Sequence, residues 1–228
     1  MRFRPLARLS VVTALWCLVL AFTGSSSTAA PKVLAPPGTL VGGYSLFDAV
    51  QVTTPYNFAP GGCPEEGEGP TLPFVNLCVD RTAVPDGPGV LFTGEASYTV
   101  DEGTYLFHNI ADVTDGEPVL GTFPRTAAKV PSYWYSTSRL GADRGTVTVD
   151  GQTATTGRHH LVGPVPLAEP LPVDDARNVT TQAVWIAPLP VGTHVIQTTT
   201  TLSGRLIAEV YGIAFIRIMD TITVTVVP

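Results

Sequence analysis

From Ala183 to Gly204 the chain reads AVWIAPLPVGTHVIQTTTTLSG, apolar and polar side chains alternating on both sides of a proline-rich turn. A period of two sends successive side chains to opposite faces of an extended backbone, so this stretch reads as β-structure. Pro188 and Pro190 bracket Leu189; Pro190 pre-sets φ for a turn, and Gly192 supplies the left-handed residue that closes it. Two strands joined as a hairpin are expected. Before the turn Trp185 faces one side while Val184 and Ile186 face the other. After it His194, Ile196, Thr198, Thr200 and Leu202 share one face, and Val195, Gln197, Thr199 and Thr201 the opposite one. The four consecutive threonines suit a pleated surface, where stiff β-branched side chains pack well.

The same pattern recurs elsewhere. Gly145 to Val149 and Gln152 to Thr156 flank Asp150-Gly151, a strong hairpin signal. Val90 to Val100 is extended, and Asp101, Glu102 and Gly103 form a turn signal into TYLFHNI, Thr104 to Ile110. Tyr105, Phe107 and Asn109 share one face of that strand and Leu106, His108 and Ile110 the other. With both faces mostly apolar it is a candidate central strand. The terminal TITVTVV puts Ile222, Val224 and Val226 opposite Thr221, Thr223 and Thr225, and a strand this regular is expected to be paired in a sheet. Between Leu161 and Asp175, Pro164, Pro166, Pro170 and Pro172 predict a long irregular crossover. Tyr44 to Thr53 fits a strand or a short helix across Leu46 to Val50, since its periodicity serves both. No helical period lasts three turns, and there is no fixed-length repeat or heptad. The fold class expected is all-β, a two-layer antiparallel β-sandwich of Ig-like or jelly-roll-like form, with a barrel as runner-up.

The N-terminus carries Arg2, Arg4 and Arg8, then an uncharged apolar run from Val11 to Phe22, then small residues through Ala30. This is the layout of a secretory signal peptide, and the run is shorter than the roughly 20 residues of a spanning helix. Residues 1–29 are read as the signal, 30–43 as a Pro/Gly-rich leader, and 44–228 as one domain. The mature chain is thus expected to be secreted, extracellular or in the cell envelope, with no transmembrane segment. Removing the signal takes three of the thirteen basic residues and none of the nineteen acidic ones, leaving a net charge of about −9. Phosphate binding needs a concentrated basic surface, so nucleic acid is an unfavourable partner. Lys32 and Lys129 are the only lysines, which excludes a polybasic membrane patch.

Cys17 leaves with the signal, and Cys63 and Cys78 remain as the only possible intrachain pair in a chain bound for an oxidising compartment. Closing that loop stabilises a fold by roughly 3 kcal/mol on the chain-entropy model. The alternatives are two buried free thiols or, less favourably, a zinc site. Between the cysteines, Glu65, Glu66 and Glu68 stand among glycines and prolines, a loop that either is solvated or offers hard oxygens to calcium.

Three stretches in order, YTVDEGTYLFHNI, TVTVDGQ and VWIAPLPVGTHVI, resemble a family of secreted, largely uncharacterised bacterial β-sandwich proteins. Those proteins carry a Cys-Thr-Val-Pro-Ala-Gly turn before an apolar strand, a Val-Asp-Gly hairpin, and a Trp-Val strand feeding a Pro-Leu-x-Pro-Gly-x-His-x-Ile turn. The resemblance implies secretion and a β-sandwich and transfers no activity. Tyr98 stands where the family has a cysteine, so a disulfide through that position is not carried over and Cys78 would substitute. Val191 stands where the turn has its second proline.

Candidate chemistry is sparse. Tyr133, Trp134 and Tyr135 form an aromatic cluster that offers a stacking platform for a sugar or other flat ligand, or else packs in a core. His194 and His108 are either metal ligands or general bases, or structural histidines; for His194 the structural role is a ring hydrogen-bonded to the turn backbone. His159 and His160 point to opposite faces on a strand, so a metal site would need one of them, His108 and His194 to converge, with Asp112 as a further ligand. Asn178-Val179-Thr180 is a formal glycosylation acceptor. No GxSxG, SxxK, HExxH or glycine-rich phosphate loop occurs. The function expected is a secreted binding or structural module without catalysis or cofactor, whose partner is an extracellular ligand or surface component. The alternative is a secreted metal-dependent hydrolase using the scattered histidines.

Overall fold

The computed structural model describes residues 33–64 and 70–228. The signal with Cys17 and the acidic residues Glu65, Glu66 and Glu68 lie outside the described residues. In chain order the elements are α1 (Leu46–Asn57), β1 (Val75–Asn76), β2 (Arg81–Asp86), β3 (Gly89–Asp101), β4 (Leu106–Thr114), α2 (Val130–Tyr135), β5 (Thr146–Val149), β6 (Gln152–Thr155), β7 (Leu161–Pro166), β8 (Asn178–Ile186), β9 (Gly192–Leu202), α3 (Arg205–Tyr211) and β10 (Ile216–Val227).

The strands make two packed sheets, one ordered β1-β4-β8-β7 and the other β2-β3-β10-β9-β5-β6. This is a β-sandwich and not a closed barrel. The sheets are mixed where a wholly antiparallel arrangement was expected: β10 runs parallel to β3 and antiparallel to β9, and β1 runs parallel to β4. The reason is that β10, the last strand, inserts between β3 and β9 instead of closing an edge.

Strand parity follows the sequence. Ile196 on β9, Ile222, Val224 and Val226 on β10, and Val147 and Val149 on β5 meet Leu106, Ile110, Val184 and Ile186 of the facing sheet. A second cluster fills the other end of the interior, around Ala111, Leu202, Leu206 and Ile218. β4 has both faces buried, as TYLFHNI predicted, because α1 and the chain before it cover the outer face of the four-stranded sheet. There Phe74, Phe107 and Trp185 stack edge to face, Trp185 lying 4.8 Å from Phe74 and 5.1 Å from Phe107 between ring centroids. Residues 33–35 of the leader lie beside β8, with Ala35 N–H donating to Trp185 O at 2.9 Å, and Ala35 and Val41 join this layer.

Four local readings resolve differently from the simplest pattern. Residues 46–57 take the helical alternative because Ser45 and Asp48 form a reciprocal capping box, and the buried hydroxyls of Thr53 and Thr54 donate back to Ala49 O and Val50 O at 2.8 and 2.7 Å. β8 and β9 both exist, but they belong to different sheets, so the Pro188–Pro190 segment is an arch across the sandwich and not a hairpin. The turn Asp101–Gly103 likewise carries the chain from β3 in one sheet to β4 in the other. Part of the expected irregular crossover, Leu161–Pro166, forms β7; its prolines are tolerated because it is an edge strand with a register shift between Val162 and Val165. The Asp150-Gly151 hairpin forms as read, with φ of 49° and 82° at the two turn residues.

Candidate functional site

Cys63 and Cys78 are bonded to each other. Just beyond Cys78 the chain crosses from the four-stranded sheet, where Leu77 N–H donates to Phe107 O at 2.8 Å, to the start of β2 in the six-stranded one. It can do so because residue 94 on β3 is glycine: a Cβ there would sit 2.4 Å from Val79 Cγ1 and 2.5 Å from Asp80 O. Arg81, Gly94, Asp220 and Thr198 are successive partners across β2, β3, β10 and β9. The Arg81 guanidinium reaches across Gly94 to Asp220, Nε to Oδ1 at 2.9 Å and Nη2 to Oδ2 at 2.7 Å. Nη2 also donates to Asn109 O at 3.0 Å and Ile110 O at 3.2 Å, on the facing sheet. Those carbonyls lie where β4 slips register against β8 between Asn109 and Ala111, so the guanidinium caps an irregularity in the opposite strand.

His108 enters this cluster from β4. Its Nδ1 carries a hydrogen, since Leu77 O at 2.8 Å can only accept; Nε2 lies 3.2 Å from Asp220 Oδ2 and 3.3 Å from Thr198 Oγ1. The Asp220 side chain is fully buried. Burial alone would push its carboxyl up, but the Arg81 fork and His108 outweigh that and hold it at about 2. Burial likewise works against the charge on Arg81, and the adjoining Asp220 carboxylate raises it above the usual arginine value.

Outside Arg81 and His108 lies a cavity of about 190 Å³, also lined by Asn57, Phe58, Asp80, Asn109 and Asp112. Asn109 is 4 % exposed, yet neither its Oδ1 nor its Nδ2 has a hydrogen-bond partner. Asp112 Oδ1 is shut off from solvent and also unpartnered. Burial pushes the Asp112 carboxyl up despite the pull of Arg81. Buried polar groups are nearly always paired, so two residues at one cavity that keep unpartnered polar atoms, themselves closed to solvent, are unusual for positions that serve packing alone. A larger cleft of about 430 Å³ lies on the other side of Cys78 and Asp80, beside the disulfide.

The other expected site residues lie elsewhere. His194 bridges two turns: Nε2 donates to Pro190 O at 2.8 Å and Nδ1 to Asp150 Oδ2 at 2.6 Å, the turn-fixing role anticipated for it. Burial disfavours its charge, but Asp150 and the Pro190 carbonyl raise its pKa. The His159 and His160 rings lie 4.4 Å apart, tilted by 52°, and Gly157 N–H donates to His160 Nδ1 at 2.9 Å, so His160 presents a lone pair there. Burial, aided by the neighbouring His159, lowers His160 to about 4. His108, His194 and the His159–His160 pair do not converge, and among the described residues no group of three histidines, cysteines or acids is placed to hold a metal ion. Of the two alternatives for His108 and His194, the structural one fits their contacts, since each ring has both nitrogens engaged by protein atoms.

The aromatic cluster is corrected. Tyr133, Trp134 and Tyr135 lie on α2; Trp134 is fully buried and donates Nε1–H to Thr180 Oγ1 at 3.0 Å, and Tyr133 donates its hydroxyl to Leu120 O at 2.9 Å. Only Tyr135 is half-buried, so these three rings do not form a stacking platform. Thr180, the third residue of the glycosylation acceptor, is fully buried and donates to Val162 O.

Arg81, Asn109 and Asp220 were not singled out from sequence. A signal existed for Asp220, because it shares the inward parity of Ile218 and Ile222, and an acid on a core face demands a partner. The chain matches no family model, no curated protein and no solved structure.

Proposed function

We propose that this is a secreted protein that works by holding a small polar ligand in the cavity outside Arg81, without catalysis. The observation that carries the reading is Asn109, a buried amide with both polar atoms unpartnered. Leaving a buried polar group unmade costs about 1–3 kcal/mol, so a position serving folding alone would be better filled by leucine. A role without catalysis is supported by the surroundings of His108: the hydroxyl 3.3 Å from its Nε2 belongs to Thr198, a buried residue, and donates to Asp220. Secretion is supported by the three-part N-terminus and by the Cys63–Cys78 bond. No helix among the described residues is long and apolar enough to cross a membrane.

Asn109→Leu tests the binding role. It is expected to raise folding stability by about 1–3 kcal/mol and to abolish the response of the cavity to small polar fragments in an NMR screen. Destabilisation by that substitution, or a screen in which no fragment moves the Asn109 side-chain amide, overturns the reading. Sequencing the N-terminus of protein collected from the culture medium tests export. A start near Ala30 is expected, and intact chain confined to the cells refutes it.

A further inference from the structure

We infer that the cleft between the start of α1 and β7 is a binding site for a small carboxylic acid, held by Arg125 and His159 with its carbon body against Phe47. The cleft measures about 520 Å³ and is separate from the cavity outside Arg81. It lies where the leader, the head of α1, the segment before α2 and β7 come together. Its size falls among small-molecule sites, which run from about 300 to 1,000 Å³.

The lining is basic in an acidic chain. Nineteen acidic residues stand against thirteen basic ones over the whole sequence, yet among the described residues the cleft is lined by Arg125 and His159 and by no acid. Both are exposed, so a ligand entering the cleft displaces water from them and breaks no packing. Neither enters any of the ion pairs among the described residues. Asp48, the acid in the first turn of α1, is outside the lining and accepts from Ser45 N–H at 2.9 Å and from the Ser45 hydroxyl at 2.7 Å. The His159 ring is already placed: it lies 4.4 Å from the His160 ring and beside Gly157, where a Cβ would sit 3.3 Å from its Cε1. A ring held in this way loses little freedom when it binds.

The donors decide the class of ligand. A guanidinium offers N–H groups and no acceptor, an imidazole offers at least one N–H, and the exposed Thr126 hydroxyl adds another. The other two hydroxyls of the lining are spent, Thr39 on Pro36 O at 2.7 Å and Ser45 on Asp48. The fitting partner is therefore rich in acceptors, and a planar carboxylate meets the guanidinium fork through two parallel bonds. Its single charge matches the one permanent cation. A phosphate monoester brings about −1.5 to −2 and would be left partly uncompensated. The rest of the wall is apolar, with Leu46, Leu161 and Pro164 beside Phe47, which is 40 % exposed and offers a ring for the body of the acid to cover.

The test is titration of the full mature protein with sodium 3-phenylpropionate, followed by NMR on the His159 ring and the Phe47 backbone amide. Saturable shifts of both are expected. The amide 3-phenylpropanamide, of the same body without charge, and 2-phenylethylammonium, of opposite charge, are expected to bind at least about tenfold more weakly. Acetate, which lacks the body, and phenyl phosphate, which carries the extra charge, are expected to be weaker too. Arg125→Gln is expected to weaken phenylpropionate about tenfold, and since Arg125 is exposed the amide spectrum is expected to stay that of the folded chain. The wild-type comparison of probes decides the matter if it does not. Equal binding of the amide or the ammonium, or unchanged binding by Arg125→Gln, overturns the carboxylate assignment. Tighter binding of phenyl phosphate overturns it in favour of a phosphate. Shifts at Asn109 in place of Phe47, or no shift with any probe, overturn the site itself. Failure here leaves the binding role proposed for Asn109 standing, because that role rests on a different cavity.

Discussion

His108 meets Asp220 inside the sandwich, where the carboxylate is fully buried; His194 meets Asp150 at the rim, where the carboxylate side chain is 47 % exposed. The two pairs share residue types and even spacing of roles, a ring with one nitrogen on a backbone carbonyl and the other on an acid. What differs is the medium. Inside, Asp220 needs a permanent cation, and Arg81 supplies it across Gly94. At the rim, water shares the charge of Asp150, and no arginine is required. The difference shows where each pair acts: the buried one joins the two sheets, while the exposed one fixes the shapes of two neighbouring turns.

The largest expected effect comes from breaking the inner pair. Asp220→Asn leaves the Arg81 guanidinium and His108 facing an uncharged amide in the interior. Removing one partner of a buried ion pair typically destabilises by about 3–5 kcal/mol. Denaturant unfolding is expected to show a loss of that size, a large part of the stability of a single domain. A loss below about 1 kcal/mol would place water around Asp220 and erase its contrast with Asp150.

Both pairs also mark how far the sequence could be read. Face parity on β5, β9 and β10 was legible because burial obeys the period of two without regard to which strand lies next door. Pairing was not. Turn residues specify a reversal of direction, yet Pro188–Pro190 and Asp101–Gly103 each lead into the opposite sheet, a choice set by the packing of both layers. His194 was legible as a turn-fixing histidine because its acceptor, Pro190 O, is four residues away. His108 was named, but its partners Arg81 and Asp220 are separated by 139 residues and meet across Gly94. Asn109 looked like one polar residue on a buried strand, and only the folded surroundings of its amide show that it lacks partners.

His160 sharpens the comparison, because a backbone donor faces it where acceptors face His108 and His194. Its pKa is lowered from 6.5 to about 4, so the unfolded chain takes up a proton more readily than the folded one between those values. Stability is therefore expected to fall as pH drops from about 6.5 towards 4. The full shift would correspond to about 3 kcal/mol, and screening of the exposed His159 charge by solvent reduces this to about 2 kcal/mol. His160→Gln, which keeps an acceptor for Gly157 N–H, is expected to remove most of that slope. A variant as acid-sensitive as the wild type would show that the slope arises elsewhere.

The smallest effect belongs to the rim pair. The His194 pKa is raised above 6.5, so its contribution is fully present below 6.5 and is lost as pH climbs through the raised value. The Asp150 pKa is lowered from 3.8, chiefly by the bond to His194, so its contribution is present above 3.8 and is lost as pH falls through the lowered value. The pair is thus at full strength between about pH 4 and 6.5, the window in which His160 pulls the other way. His194→Gln measured against wild type is expected to cost about 1 kcal/mol or less at pH 6, the range of partly exposed ion pairs, with the difference shrinking towards alkaline pH. Added salt is expected to narrow it as well, because Asp150 stands in solvent, whereas the loss in Asp220→Asn is expected to be nearly insensitive to salt. Equal salt dependence for the two would mean that both carboxylates sit in the same medium, and the distinction between the inner and outer pair would fail.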